Sequence, residues 1–407
     1  EGAAAGVLGL VWSLVHASGL VTGVPLPWPA GRLMFSFYGA LVYGWALPVL
    51  FSFMAENGCR RLKPAEWLWH ICVVLGMATI MAGDGSGLLL MPFDWWVCPV
   101  FAILAAGKAC AAWFRPFPWP VRLLFSSSAG CTAAALLALG YTQALSMNGM
   151  LDASSLEGSL SCGLMFAALG AAAFRLNMAK GRGFGILAVW MAAVLAAAPV
   201  VGGLGGLRGL GRGAVLSGGA AVPAVLMAVY LWMKSGPETG TWLKAAVSLL
   251  ALLAVWDVFA GAWPELMQFS LSAWHEAELW ILLGAGALMM AGRKGPVRFP
   301  AAWWLLGAGV CGVLLAYAVG VVAAVDVQAF PEARRAELMS GWVGMAACVH
   351  AVAMALCLAG SLCLWRPADA DAGNPEMETP VPQRLFFIAA VAAVLLLATA
   401  GGVPSAV

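Results

Sequence analysis

The amino-acid sequence predicts an all-α membrane protein that crosses the bilayer many times. Hydrophobic residues make up 63% of the 407-residue chain and charged residues only 10%, a balance outside the range of soluble domains. A helix that spans a bilayer needs roughly 20 mostly apolar residues. Runs of that length recur from one end of the chain to the other, and the short loops between them hold nearly all the charge. Together these observations exclude a string of soluble domains.

Thirteen apolar runs are long enough to span a membrane. The first twelve predict one continuous bundle over residues 1–365, without a soluble insertion. A polar, Pro-rich linker follows at 366–384, and then a single transmembrane anchor helix at 385–407. The predicted spans are 2–25, 33–54, 68–91, 95–113, 121–144, 158–176, 184–203, 213–233, 242–263, 273–292, 301–323, 338–364 and 385–403.

The basic residues predict the orientation of the chain. Of the 21 Lys and Arg residues, 16 lie in loops that follow even-numbered spans, and the other five lie in odd-numbered loops. Because short loops rich in Lys and Arg stay in the cytoplasm, we expect the N-terminus and the even-numbered loops there. The same rule puts the C-terminal end, after the thirteenth span, on the outer side.

The order of several stretches resembles a known family. The second span has a Gly-Arg-Leu entry and a Cys-Arg-Arg-Leu exit, in LPWPAGRLMFSFYGALVYGWALPVLFSFMAENGCRRL. Later come GDGSGLLLMPFDWWV, AVWMAAVLAAAPVVGGLGGL, FPAAWWLLGAGVCGVLLAYAVGVVAAVDVQAF and GWVGMAACVHAVAMALCLAGSLCLW. In this order they resemble the catalytic subunit of the cbb-type (C-family) haem-copper oxidases, over nearly all of the twelve-helix bundle. The anchor helix resembles the helix that carries the c-type cytochrome subunit of those oxidases.

The resemblance implies haem and copper ligands that this chain lacks. The family needs two histidines for a low-spin haem, one for a high-spin haem and three for copper. Where it has a histidine after Gly-Arg-Leu, this chain has residues 34–37, Met-Phe-Ser-Phe; where the copper pair follows Gly-Pro, it has 199–202, Pro-Val-Val-Gly. The chain has four histidines: His16, His70, His275 and His350. We therefore expect no cofactor here, with a single haem b as the alternative.

The tenth span contains the densest group of ionisable residues, in FSLSAWHEAELWILLGAG. There the family has a His-x-His pair, one nitrogen for each haem. In one register the pair becomes Glu276-x-Glu278, and in the other His275-x-Ala277. Neither register restores two imidazoles, and carboxylates are not usual haem ligands. The stretch predicts an emptied haem site that survives as a polar cluster near the outer end of the span, with Glu278 as a possible proton relay.

Three further residues are candidates for function. His16 and His350 lie in the middle of spans one and twelve, and would hold a haem b between them if these helices are neighbours. Asp257 is the deepest acid, and an ionised Asp at the bilayer centre costs roughly 2.5–3.5 kcal/mol on insertion scales. It must therefore be protonated, paired or beside water. With Glu276 and Glu278 it forms a possible proton or polar site; a plain interhelical hydrogen bond is the alternative.

These observations predict a membrane scaffold that is not catalytic by itself. It would anchor a respiratory electron-transfer complex in a bacterial inner membrane, with other membrane subunits and a c-type cytochrome on the periplasmic side as partners. Two alternatives stay open. A proton channel or small-solute transporter would use Asp257, Glu276 and Glu278; a subunit that handles haem or quinol would use His16, His275 or His350.

Overall fold

The computed structural model describes residues 2–22, 29–55, 64–145, 153–204, 212–234, 241–262, 270–292, 300–328 and 330–364. Within these ranges the protein is all-helical, as predicted. The described residues form twelve helices, which coincide in order with the twelve predicted spans of the bundle. The predicted linker at 366–384 and the predicted anchor helix at 385–407 lie outside the described residues.

The helices follow one another through short connections. They are α1 (Gly2–Thr22), α2 (Ala30–Gly39, continued by Ala40–Ala46 and Leu47–Ala55), α3 (Pro64–Ala82), α4 (Cys98–Trp113), α5 (Trp119–Ala144), α6 (Ala153–Arg175), α7 (Arg182–Leu204), α8 (Arg212–Lys234), α9 (Thr241–Ala262), α10 (Ser270–Gly292), α11 (Pro300–Gln328) and α12 (Glu332–Leu364).

The helices are those of a multi-pass membrane protein. Within the described part of the chain, seven are long and apolar enough to cross a bilayer. Four further apolar segments, in α1, α4, α8 and α9, are shorter. Large apolar side chains remain exposed around the bundle, among them Ile103, Ile186 and Trp304. Such exposure suits a surface that faces lipid.

The end of α3 corrects a predicted boundary. The hydropathy pattern extends span three to residue 91, whereas the helix ends at Ala82. Gly83 follows with a φ of 112°, a backbone conformation that glycine adopts readily. The guanidinium of Arg32 donates a hydrogen bond to the Met81 carbonyl at 2.9 Å, which satisfies a group that the ended helix leaves free. The segment 84–97 then folds back and buries Phe93.

Helix α2 contains a π-helical segment, Ala40–Ala46, that ends two residues before Pro48. Pro48 follows it, and a proline has no N–H and crowds the carbonyl four residues back. The Leu47 N–H bonds to the Val42 carbonyl, five residues back. The Tyr43 carbonyl would then need Pro48 as its donor, which Pro48 cannot be. The Trp69 indole of α3 donates to that carbonyl instead, at 2.7 Å.

Helix α10 lies near the centre of the bundle. It packs against α2, α6, α9 and α11, while α1 packs between α2 and α12. On one side, α2, α3 and α4 enclose an aromatic core, which we define as Tyr43, Trp69, Phe93 and Phe101; neighbouring rings there have centroids 4.5–6.2 Å apart. On the other side, α1, α10 and α12 bring the buried ionisable residues together.

Candidate functional site

Three ionisable side chains meet inside the bundle, and we call them the His–Glu–His cluster: His275 and Glu278 of α10 and His350 of α12. His275 and Glu278 are three residues apart, so they lie on the same face of their helix. Their exposed fractions are 1% for His275, 0% for Glu278 and 1% for His350. Ionisable groups this deeply buried in a membrane bundle are rare and usually functional.

Glu278 is the centre of the cluster. Its Oε2 lies 2.6 Å from Nε2 of His350 and 3.7 Å from Nδ1 of His275. The two imidazole rings have centroids 4.8 Å apart and are tilted by 39°. The contact to His350 is therefore a direct hydrogen bond, whereas the contact to His275 is longer than one.

Ser13 of α1 determines which His350 nitrogen carries a proton. The Ser13 hydroxyl donates to the Gly9 carbonyl at 2.7 Å. Its Oγ also lies 2.5 Å from Nδ1 of His350. A serine hydroxyl has only one proton to donate, so Oγ must accept from Nδ1, and Nδ1 carries a proton.

A second proton then lies between His350 and Glu278. With Nδ1 protonated, a neutral His350 has a lone pair on Nε2, and an ionised Glu278 would face it with another lone pair at 2.6 Å. That arrangement repels. Either a protonated Glu278 donates to Nε2, or a cationic His350 donates to the carboxylate. Both forms have a net charge of zero, which suits a buried site.

Several polar atoms of the cluster have no hydrogen-bond partner among the described residues. They are Nδ1 and Nε2 of His275 and Oε1 of Glu278. Leaving a buried polar atom unpaired costs about 1–3 kcal/mol. Proteins seldom keep such a cost without a use for the free atom. The cluster can therefore accept or donate further hydrogen bonds.

Aromatic rings enclose the cluster on the side of α1 and α2. The Trp12 ring contacts His350 edge-on, with centroids 5.1 Å apart, and stacks on His16 at 6.3 Å. Phe37 packs beside both Trp12 and His350. His16 is half-buried, and its Nε2 has no hydrogen-bond partner in the part of the chain described.

The structure brings some of the predicted site residues together and separates others. His275, Glu278 and His350 share one site, and His16 lies beside it across Trp12. Glu276 is buried in α10, but residues two apart do not share a helix face. Asp257 belongs to α9, and its side chain lies outside the described residues.

An apolar cavity of about 210 Å³ adjoins the cluster at Glu278. It is lined by α1, α2, α9, α10, α11 and α12. Near Glu278 its wall includes Phe37 and Met354, and at its far end Trp242 and Trp303. Glu278 provides the one carboxylate among the described residues that line it. The cavity runs from the cluster toward the end of the bundle where α9 and α11 begin.

The haem and copper of the resembling family do not fit these residues. Both ring nitrogens of His350 are already hydrogen-bonded, to Ser13 and Glu278. The rings of His275 and His350 lie too close together to face each other across a porphyrin. Two histidines and a carboxylate are also a donor set for zinc. A cation bound between Nε2 of His350 and Oε2 of Glu278 would require these two atoms to separate and their hydrogen bond to break.

Ser13 is the site residue that the sequence reasoning missed. It lies three residues before His16, so the two share one face of α1. This spacing was the signal that could have found it.

Comparisons of the chain with protein-family models, with curated proteins and with solved structures found no match.

Proposed function

We propose that the chain is a proton-coupled membrane protein whose proton-binding site is the His–Glu–His cluster. One observation carries the proposal: wholly buried His350 and Glu278 meet at 2.6 Å, with Ser13 holding the tautomer of His350. The pair therefore stores one proton without a net charge. Chains of Asp, Glu and His inside membrane bundles are the usual carriers of protons in pumps and transporters.

Release of the stored proton requires a change in geometry. If the proton left while the pair stayed closed, two lone pairs would face each other and a negative charge would remain in an apolar bundle. His275 is the nearest acceptor, because its Nδ1 lies 3.7 Å from the same Oε2. An approach of under about 1 Å would bring that nitrogen within hydrogen-bonding distance. Protonation of the cluster is thus coupled to whether the contact between Glu278 of α10 and His350 of α12 stays closed.

Infrared spectroscopy tests the proposal on the purified full chain in lipid nanodiscs. A carboxyl group that gains or loses a proton gains or loses its C=O stretching band. We expect a pH-dependent band that disappears in Glu278→Gln and persists in Glu66→Gln, a matched change at a half-exposed carboxylate of α3. A band unchanged by Glu278→Gln would refute the proton site.

Ser13→Ala tests the geometry rather than the fold. Without the Ser13 hydroxyl, either nitrogen of His350 can carry the tautomeric proton. A proton between Nε2 and Glu278 is then no longer required in addition to one on Nδ1. We expect the Glu278 band to shift in frequency and in its pH midpoint. Ser126→Ala, which removes a hydroxyl that donates to Ala109 away from the cluster, is the control and leaves the band unchanged.

We also propose the finer features that the sequence predicts. They comprise the twelve-plus-one helix arrangement, the bacterial inner membrane, the cytoplasmic N-terminus with a periplasmic C-terminal end, the relation to cbb-type oxidases, and the scaffold role beside other membrane subunits and a c-type cytochrome. A proton-coupled subunit is compatible with such an assembly. A reduced-minus-oxidised visible spectrum, with iron and copper quantified, tests the relation: one haem per chain would replace the proton site with a cofactor site.

A further inference from the structure

The cavity beside Glu278 has the size of a substituted aromatic ring. Its volume is about 210 Å³, and an apolar cavity of about 150 Å³ in another protein binds benzene. The additional space accommodates several methyl groups on such a ring. Water is a poor occupant, since a buried water needs two to four polar partners and the described lining offers few besides Glu278.

The lining suits an aromatic guest. Phe37, Trp45, Trp242 and Trp303 contribute rings to the wall, and aromatic pairs gain about 0.5–1.5 kcal/mol beyond their buried area. Several methionines, which adapt easily to the shape of a ligand, line the same cavity: Met289, Met290 and Met354.

The π-helical segment of α2 helps to shape this wall. Leu41 and Trp45 both belong to Ala40–Ala46 and both line the cavity. A π-helical turn changes the direction in which side chains leave the helix, and such turns occur frequently at functional sites. The segment therefore helps to determine which α2 side chains face the cavity.

The cavity reaches the surface of the bundle. Trp242, Met289 and Val310 are partly exposed, and Cys311 is exposed. In a bilayer, that surface of a transmembrane helix faces hydrocarbon. A ligand can therefore arrive dissolved in the membrane rather than from water.

From these features we infer that the cavity binds the ring of a membrane-soluble quinol, whose hydroxyl donates a hydrogen bond to Oε1 of Glu278. That oxygen is buried and has no other partner among the described residues, and the opposite oxygen of the same carboxyl group already contacts His350. The inference rests on the proposed function in one respect, because Glu278 serves both. It concerns binding alone and includes no electron transfer.

Two small ligands separate recognition of the hydroxyl from simple filling of the cavity. Tetramethylhydroquinone and tetramethylbenzene have the same substituted ring and differ in the hydroxyls. We expect the hydroquinone to bind the full chain in nanodiscs at least about tenfold more tightly, as a hydrogen bond to a buried acceptor that otherwise stays unpaired predicts. Equilibrium dialysis under reducing, oxygen-free conditions measures both affinities. Glu278→Leu, which removes both carboxyl oxygens, should keep the binding of tetramethylbenzene and reduce this preference to about twofold or less.

Gly286→Leu tests whether the ligand occupies this cavity. A Cβ at Gly286 would meet only the terminal methyl of Met290, at 4.0 Å, so a larger side chain can enter the cavity without a backbone clash. We expect at least a tenfold loss of binding for both ligands. Gly130→Leu is the matched control: a Cβ there meets nothing within 4 Å, and Gly130 does not line the cavity. It should bind both ligands like the unaltered chain.

Each outcome has one meaning. Equal affinity for the two ligands, or a preference that survives Glu278→Leu, overturns quinol recognition and makes the cavity a site for any apolar chain, such as a lipid tail. Binding unchanged in Gly286→Leu places the ligand elsewhere. If the infrared band of Glu278 stands while neither ligand binds, this inference alone fails; if the ligands bind as expected while the band is unaffected by Glu278→Gln, the proposed function alone fails. Retention of the band in Gly286→Leu verifies that the variant folds.

Discussion

Helices α2, α3 and α4 pack tightly around the aromatic core, whereas the bundle beside Glu278 contains a cavity. In the aromatic core a Cβ added at Gly76 would lie 2.3 Å from Cδ1 of Phe93. At the cavity a Cβ added at Gly286 would find its nearest neighbour, Met290, at 4.0 Å. Gly76 is therefore required for close packing against Phe93, whereas Gly286 borders open space.

The polar contacts of the two regions also differ. The one polar contact described above in the aromatic core, from the Trp69 indole to the Tyr43 carbonyl, satisfies both partners. In the His–Glu–His cluster, atoms of His275 and Glu278 have no partner in the described part of the chain. The tightly packed rings and the unpaired ionisable atoms therefore lie in different parts of the bundle, one suited to stability and the other to chemistry. The predictions below test that separation.

Phe93→Ala should have the largest effect on stability. Phe93 is fully buried, and its removal leaves a cavity among Tyr43, Phe101 and Gly76. Phe→Ala changes in cores cost about 3–5 kcal/mol. Unfolding of the purified chain in mixed detergent micelles measures the loss. Phe259→Ala, at an exposed ring of α9, should cost under about 1 kcal/mol; a similar cost for both would remove the distinction between core and lipid-facing rings.

The same Gly→Ala change should have opposite signs in the two regions. Gly76→Ala forces the Phe93 ring to move within a packed core and should destabilise the protein by about 1–3 kcal/mol. Gly286→Ala meets no obstacle and should stabilise α10 by up to about 1 kcal/mol, because alanine favours a helix. The unfolding free energies of the two variants, measured side by side, test the contrast. Equal values would mean that the regions are packed alike.

Trp69→Phe should have a smaller effect, at the segment that joins the two regions. It keeps a ring in the aromatic core but removes the indole N–H that donates to the Tyr43 carbonyl. Pro48 has no N–H and cannot supply that bond instead. We expect a loss of about 1 kcal/mol in unfolding free energy. Trp304→Phe, at an exposed position, is the control. A neutral Trp69→Phe would show that the π-helical segment does not depend on this bond.

Lys108→Met should have the smallest effect. Lys108 of α4 donates to Glu66 of α3 at 3.2 Å, and both side chains are partly exposed. Pairs of this kind contribute about 0.2–1 kcal/mol. A double-mutant cycle with Glu66→Gln measures the coupling energy. A coupling above about 1 kcal/mol would add an electrostatic contribution to the packed side of the bundle.

The helices could be predicted from the sequence because each is an apolar run between charged or Gly-rich segments. The first and last residues of the helices were harder to predict from the sequence. Helix α12 begins at Glu332 rather than at 338, since its first turns contain EARRAE, which hydropathy alone assigns to a loop. The π-helical segment was missed, although Pro48 marks it, because the apolar pattern continues through it.

The site could be predicted only in part. His275 and Glu278 lie three residues apart, and any helix places them together. Their partner His350 is 72 residues from Glu278. Whether His350 meets Glu278 depends on how α10 and α12 pack in the bundle, which no local sequence pattern shows. The predicted His16–His350 pair lies on helices that are indeed neighbours, α1 and α12. In the structure both ring nitrogens of His350 bond to other residues, Ser13 and Glu278.

The shared proton of His350 and Glu278 also determines how the cluster responds to an electric field. One charge that crosses the whole membrane exchanges roughly 2.3 kcal/mol per 100 mV. A proton that shifts between two atoms 2.6 Å apart crosses only a small part of that distance. The closed pair is therefore almost insensitive to the membrane potential. Sensitivity to voltage begins only when the proton leaves the pair, so an applied potential acts on the exit of the proton and not on the proton stored in the closed site.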